Sequence, residues 1–210
     1  EEARARRRAA YNSALKRLAA IDREVLSTEE LVNYELFGDT YRDRLEAMEY
    51  RTDLIPISQR GGIQTLDETG NRLRMESVQD YEDWLARLRK VDTLMDQTIK
   101  RMQAGVRQGM VPPKITMSRV PAQIEKQLVA MPEQSLFYKP FQQLPSHWSS
   151  AERERIRSEA KSVIAQVVVP AYQRLYDYFT ESYLPACADE IGASSLPNGK
   201  AFYEYLVRRF

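Results

Sequence analysis

Cysteine and histidine are almost absent from this sequence, which has one of each in 210 residues. The single cysteine, Cys187, excludes a disulfide framework within the chain. Zinc sites normally take several His or Cys ligands, whereas this chain offers only His147 and Cys187 and has no HExxH stretch. There is also no G-x-S-x-G turn to present a nucleophilic serine. We therefore predict no catalytic residue, no metal ligand and no cofactor in this chain, and we expect His147 to be a loop residue beside Trp148.

Long apolar runs and an excess of one charge are absent as well. No stretch reaches the roughly 18 apolar residues that suggest a membrane-spanning helix, so we predict no transmembrane segment. Lys and Arg number 31 against 30 Asp and Glu, and a net charge of +1 gives no strong field to attract nucleic acid. The one basic cluster, RARRR at residues 4–8, is expected to be the solvated face of a first helix. A nucleic-acid-binding arm is the alternative, and we predict no nucleic-acid partner.

Helical periodicity is what the sequence has in abundance. Apolar residues recur every three or four positions through most of the chain, and 43% of the residues are hydrophobic, which is enough to bury a core. Ser27, Ser77 and Ser149 each stand three residues before an acidic residue, the spacing of a capping box at a helix start. We predict an all-α fold, an irregular bundle of about six or seven helices with long loops, forming a single helical domain over residues 1–210.

The longest predicted helix runs from residue 150 to about residue 188 and contains Pro170. Proline lacks the backbone N–H, and its ring collides with the carbonyl four residues earlier, which belongs to Gln166. Since the apolar stripe resumes in phase after Pro170, we expect the helix to be kinked there rather than ended. Pro185 is expected to fray the last turn in the same way.

The connection over residues 51–76 and the closing helix carry the candidate site residues. The connection contains Gly61 and Gly62, which match no phosphate-binding pattern but permit a ligand to approach the backbone closely. A tight turn is the alternative reading. The closing stretch AFYEYLVRRF is amphipathic, and Tyr203 and Tyr205 offer hydroxyls to a peptide backbone, although packing is the simpler role. We predict that these four residues line a cleft or an interface.

Several stretches together resemble a bacterial family. In chain order they are LSTEELVNYELF, YRTDLIPISQRGG, DYEDWLARLRKVDTLMDQTIKRMQAGVRQGMVPPKITMSRVPAQI, FYKPF, VVVPAYQRLYDYFTESYLPA and LPNGKAFYEYLVRR. Their order and spacing are similar to those of the domain of unknown function 885 family, whose members are often described as lipoproteins or uncharacterised exported proteins. The resemblance covers nearly the whole chain.

The resemblance implies a protein much longer than this chain. Family members are similar to helical zinc metallopeptidases, and their metal-binding element has the form H-E-x-x-P-G-H-H, far downstream of the stretches quoted above. This sequence contains no such element, so no catalytic or metal-binding residue carries over to any of its positions. We expect that the chain was cut at Phe210 and that the apolar face of the last helix packs against the part that is missing.

The resemblance also implies a function. The chain would be a non-catalytic N-terminal helical region of a zinc-dependent peptidase-like protein and would form part of a substrate cleft wall. Its partners would be the remainder of its own chain and a peptide substrate, zinc would belong to the full-length protein, and the location would be periplasmic or envelope-anchored. The alternative is a self-contained helical binding or scaffold module. The encoded sequence beyond residue 210 distinguishes the two.

Overall fold

Helices account for all the regular secondary structure that the chain shows, apart from two isolated β-bridges. The computed structural model describes residues 2–209, with the backbone alone at residue 71, and it contains no strand in that range. The predicted cut at Phe210 therefore lies outside the described residues. The prediction of an all-α fold is confirmed.

Eleven α-helices follow one another in the described part of the chain. They are α1 (Glu2–Ala19), α2 (Thr28–Ala47), α3 (Asp67–Arg72), α4 (Val78–Leu88), α5 (Val91–Arg107), α6 (Lys114–Met117), α7 (Val120–Glu125), α8 (Lys139–Gln142), α9 (Ser150–Val163), α10 (Val169–Tyr178) and α11 (Gly199–Arg208). Seven of these have ten or more residues, and the other four are single turns or little more. The prediction of about six or seven helices counted α9 and α10 as a single helix.

The helix starts follow the predicted capping positions. Ser27 and Ser77 each form a complete capping box, in which the serine hydroxyl accepts from a backbone N–H and the acidic residue three positions later accepts from the serine N–H. At α9 the hydroxyl of Ser149 accepts from the N–H of Glu152 at 3.2 Å. These bonds satisfy backbone donors that a helix leaves unpaired at its first turn.

The described residues group into two compact units, and the single domain over residues 1–210 stays a prediction. The first unit, Glu1–Thr52, contains α1 and α2, which pack against each other with Tyr11 edge-on to Tyr41 at a ring-centroid distance of 5.5 Å. Gly38 is the one residue of its described part that is fully buried. Arginines at residues 4–8 belong to α1, with Arg6 and Arg8 paired to nearby glutamates, as expected for a solvated helix face.

The second unit, Asp53–Phe210, contains the hydrophobic core. Helix α4 packs against α9, while α5 and α7 pack against α10. The largest side chains of this core that solvent does not reach are Ile57, Leu85, Leu88, Met95, Met102, Met117, Ile124, Phe137, Phe141, Tyr172, Phe179 and Tyr183. His147 lies in an exposed turn with its ring 6.3 Å from that of Trp148, as predicted.

The long helix continues through Pro170, as expected, but a π-helical turn takes the place of a simple kink. A π-helical turn, Ile164–Val168, joins α9 to α10, and Val169 donates its N–H to the carbonyl of Ile164. A wider turn of this kind accommodates the proline ring without ending the helix. The helix ends at a second π-helical turn, Phe179–Tyr183, and does not reach residue 188 as expected.

Candidate functional site

The first predicted pair, Gly61 and Gly62, lies in a small exposed turn of the second unit. We call residues 58–62 the SQRGG loop. Ser58 donates its N–H to the carbonyl of Gly61 at 2.9 Å, and Gly61 donates back to Ser58 at 3.2 Å. This mutual pairing closes a four-residue turn whose tip, Gln59 and Arg60, is exposed to solvent.

A set of amide side chains holds this loop from below. Gln64 is 1% exposed, and its Nε2 donates to the carbonyl of Ser58 at 2.7 Å and to Oε1 of Gln123 at 3.2 Å. Gln123, on α7, in turn donates its Nε2 to the carbonyl of Gln59 at 3.0 Å. The side chains of Gln64 and Gln123 therefore hold two successive backbone carbonyls of the loop, those of Ser58 and Gln59.

The network continues inward to a buried carboxyl group. Gln127, also 1% exposed, donates its Nε2 to Oδ1 of Asp67 at 2.9 Å. Burial raises the pKa of the Asp67 carboxyl, and the hydrogen bond from Gln127 opposes that shift in part. From α10, the hydroxyl of Tyr172 donates to the carbonyl of Ile63 at 2.5 Å, and burial raises the pKa of this phenol far above its usual range.

Only one of the two predicted glycines is required by the conformation. Gly62 has φ +146°, and a Cβ there would lie 2.6 Å from Oε1 of Gln64 and 3.0 Å from the carbonyl oxygen of Pro56. Gly61 has no such φ, and the nearest neighbour of an added Cβ would be Oγ1 of Thr65 at 3.9 Å. The close approach that we expected of both glycines is therefore between Gly62 and its own chain.

The second predicted pair lies on α11, and its two members face different surroundings. The side chain of Tyr205 is 3% exposed and stacks on Phe202 with ring centroids 6.4 Å apart. Tyr203 is 61% exposed, so it can meet a partner through its ring and its hydroxyl. Helix α11 packs chiefly on the turn Ala193–Ser195, where Gly199 approaches the carbonyl of Ala193 too closely for a Cβ. The two predicted segments thus have different packing partners.

Residue-level reasoning missed the polar network. Gln64, Asp67, Gln123, Gln127 and Tyr172 carry it, and none of them is among the candidate site residues predicted from the sequence. A usable signal was the placement of Gln123 and Gln127 four residues apart, on one side of the short helix predicted after Pro121. Nothing in the sequence indicated that their partners lie about sixty residues earlier.

The first unit has a site of its own, an apolar groove between its two helices. We call it the α1–α2 groove. It has a volume of about 710 Å³ and is lined by Ala14, Arg17, Leu18, Ile21, Leu26, Glu30, Asn33, Tyr34, Phe37 and Tyr41. Most of these residues are apolar or aromatic, and few are polar, which is the usual composition of a binding groove.

The described residues contain neither a metal-binding cluster nor a membrane-spanning helix. Between residues 2 and 209, no three His, Cys, Asp or Glu side chains come together in a way that could hold a metal ion. In the same range, no helix is long and apolar enough to cross a membrane.

Comparison with known proteins identifies the family. Residues 1–210 match the family described as "Bacterial protein of unknown function (DUF885)". The chain belongs to this family. The family resemblance inferred from the order of the segments is thereby confirmed for residues 1–210.

A solved structure has the same fold as this DUF885 chain. It is the crystal structure of the "putative lipoprotein from Colwellia psychrerythraea", with a TM-score of 0.81 and 18% sequence identity. The match covers 99% of the DUF885 chain described above and 37% of the crystallised chain. Comparison with curated proteins found no match. The similarity establishes the fold, and the predicted cleft role of Gly61, Gly62, Tyr203 and Tyr205 stays a prediction.

Proposed function

We propose that residues 1–210 are a non-catalytic, N-terminal helical region of a longer zinc-dependent peptidase-like protein, and that the SQRGG loop forms part of its substrate cleft wall. The proposal rests on one observation, namely that side-chain amides packed under an exposed loop hold its backbone. Gln64 and Gln123 hold two successive loop carbonyls, those of Ser58 and Gln59. A polar network of this kind makes a turn rigid, and rigid turns on a packed scaffold are where proteins place binding groups.

The side chain that this loop presents has the chemistry to bind a peptide. Arg60 is exposed at the tip, and its guanidinium has no hydrogen bond or ion pair to any described residue. A guanidinium forms strong, paired hydrogen bonds with a carboxylate, such as a peptide's C-terminus or an acidic side chain. Arg60 would therefore orient the substrate, while the exposed ring of Tyr203 offers a second contact surface.

The zinc of the proposed enzyme does not belong to these residues. The described part of the chain has no cluster of three metal-binding side chains, so it does not fit the metal, and we derive no catalytic step within it. Family membership and the 37% coverage of the crystallised relative support a longer protein, in which the metal and the catalytic groups lie outside residues 1–210.

The complete encoded protein provides the test. We expect it to contain about one zinc per chain and to hydrolyse peptides, and we expect residues 1–210 alone to do neither. Arg60→Gln should raise KM roughly ten- to a hundredfold with little change in kcat, since a hydrogen bond to a charged group contributes about 1.5–3 kcal/mol. Arg72→Gln, which removes an exposed arginine of α3, is the matched control. A complete protein without zinc and without turnover would overturn the proposal.

Rigidity of the loop is tested separately with the two adjacent glycines. Gly62→Ala should destabilise the protein by about 1–3 kcal/mol, because the new Cβ meets Gln64 and Pro56 at a backbone conformation unsuited to it. Gly61→Ala should change stability by less than about 0.5 kcal/mol, because the nearest neighbour of its Cβ, Oγ1 of Thr65 at 3.9 Å, lies at ordinary van der Waals distance. Urea unfolding gives the stabilities. Equal effects of the two substitutions would contradict the view that the loop backbone is held in one conformation.

A second candidate function is a self-contained helical binding or scaffold module. The α1–α2 groove favours it, because an apolar groove of about 710 Å³ is a binding feature that needs no enzyme. An encoded protein that ends near residue 210 would favour this alternative. Continuation for hundreds of residues with a His- and Glu-rich metal element would favour the peptidase.

A further inference from the structure

We infer that the α1–α2 groove is a docking site for an amphipathic helix that carries an acidic side chain, and that this helix belongs to the part of the complete polypeptide outside residues 1–210. The inference rests on one element of the proposed function, namely a longer chain. It does not depend on peptidase activity.

The first argument is that α1 and α2 do not bury their own apolar faces. Within the described part of the first unit, Gly38 is the only residue that is fully buried. Two large hydrophobic side chains that line the groove, Ile21 and Phe37, are more than a third exposed. Exposed apolar side chains in a groove between two helices are stabilised when a further element covers them.

The second argument is the shape of the groove. Its lining residues on α2 run from Glu30 to Tyr41, and the eleven steps between these two residues correspond to about 16 Å at 1.5 Å per residue. That length matches about three turns of a third helix. Helices lying in apolar grooves use side chains at three- and four-residue spacing as anchors, and Phe37 and Tyr41, stacked 4.4 Å apart, form one wall for such anchors.

The third argument is the charge at the edge of the groove. Arg17 is exposed there, and its guanidinium has no hydrogen bond or ion pair to any described residue. Two other exposed arginines of the first unit differ, since Arg23 is paired with Glu35 and Arg42 with Asp39. A carboxylate on the docking helix would complement Arg17, and Asn33, also exposed and lining the groove, supplies an amide.

The fourth argument concerns the source of the helix. This chain covers 37% of the crystallised relative, so nearly two thirds of that protein lies outside the matched part. A segment of the same polypeptide is held near the groove at high effective concentration, which makes it the favoured occupant over a separate partner.

Photo-crosslinking in the complete encoded protein tests the inference. A photoreactive phenylalanine analogue, p-benzoylphenylalanine, is placed at position 37, which lines the groove, or at position 36, which does not. Leu36 and Phe37 are adjacent, and both are exposed, at 59% and 41%, so the pair is matched. We expect position 37, and not position 36, to form cross-links within one molecule to residues outside 1–210. We also expect Arg17→Glu to lower the yield at position 37.

Other outcomes would overturn the inference. These are cross-links between two copies of the chain, cross-links confined to residues 1–210, equal yields at the two positions, or an encoded protein that ends at residue 210. Thermal unfolding gives an independent measurement. Phe37→Ala should lower the Tm of the complete protein by at least about 2 °C more than Leu36→Ala does, and an equal shift would count against docking.

Zinc content and peptide hydrolysis, measured on the same preparations, separate this inference from the proposed function. A complete protein that forms the position-37 cross-link but lacks zinc and turnover would overturn the peptidase and leave the docking site in place. An active zinc enzyme that does not form this cross-link would overturn the docking site and support the peptidase.

Discussion

Asp67 is the residue whose surroundings depart most from those of an ordinary surface carboxylate. Its side chain is 8% exposed and accepts a hydrogen bond from Gln127. Because burial disfavours the charged form, the pKa of this carboxyl is raised. The folded protein therefore binds the proton more tightly than the unfolded chain does. The stability that this provides is complete below the unfolded pKa of about 3.9 and is lost as the pH rises through the folded pKa.

Asp67→Asn tests this linkage, because asparagine keeps an oxygen to accept from Gln127 and removes the charge. We expect the variant to gain stability relative to the wild type as the pH rises from about 4 toward neutral. Urea unfolding at a series of pH values measures the difference. Asp67→Ala is the control, and it should cost about 1–3 kcal/mol because it leaves the Nε2 group of Gln127 buried without its partner. A constant difference between Asp67→Asn and the wild type at all pH values would contradict the raised pKa.

The sequence could not rank the candidate site residues, because their roles depend on conformation. Gly61 and Gly62 are identical in a sequence, yet only Gly62 has a positive φ and a crowded Cβ position. Tyr203 and Tyr205 lie two positions apart on a helix, which places them about 200° apart around its axis, and one is exposed while the other is buried. The periodicity predicted that α11 has an apolar face, but the interior partners of that face are tertiary information.

At the scale of elements, the two π-helical turns share one arrangement. Val169 donates to Ile164 and is followed by Pro170, and Leu184 donates to Phe179 and is followed by Pro185. In both places the residue before the proline bonds five residues back. A proline cannot donate, and its ring needs room beside the preceding turn, so widening that turn relieves both conflicts. The two prolines in the sequence showed where the helix is perturbed. That the perturbation is a π-helical turn could not be predicted, because it depends on how the helix packs.

The helix starts were more predictable, because capping is a local interaction between residues three positions apart. Ser149 and Ser150 allow a matched test at α9, since Ser149 caps the helix and Ser150 is its first residue. We expect Ser149→Ala to destabilise the protein by about 1 kcal/mol through the loss of the bond to Glu152. Ser150→Ala should cost nothing measurable, because alanine has the higher helix propensity. Chemical denaturation measures both, and equal costs would show that the cap is unimportant.

At the scale of the molecule, hydrophobic burial is uneven along the chain. Every hydrophobic residue of the described core lies at or after Leu54, while the first unit contributes none. The sequence pattern did not reveal this, because α2 has apolar residues at regular helical spacing and looks like a core helix. Periodicity identifies the face that seeks burial, but it does not say whether this chain supplies the covering surface.

The two units should therefore differ in their ability to fold alone. We expect residues 53–210, expressed separately, to unfold in one cooperative transition, because the buried cluster and the polar network both lie within that segment. Residues 1–52 alone should be largely unfolded, since most helical stability in proteins comes from packing of an apolar face and α1 and α2 bury almost none. Circular dichroism during heating distinguishes a cooperative transition from a gradual one. A fragment 53–210 that fails to fold would contradict this prediction.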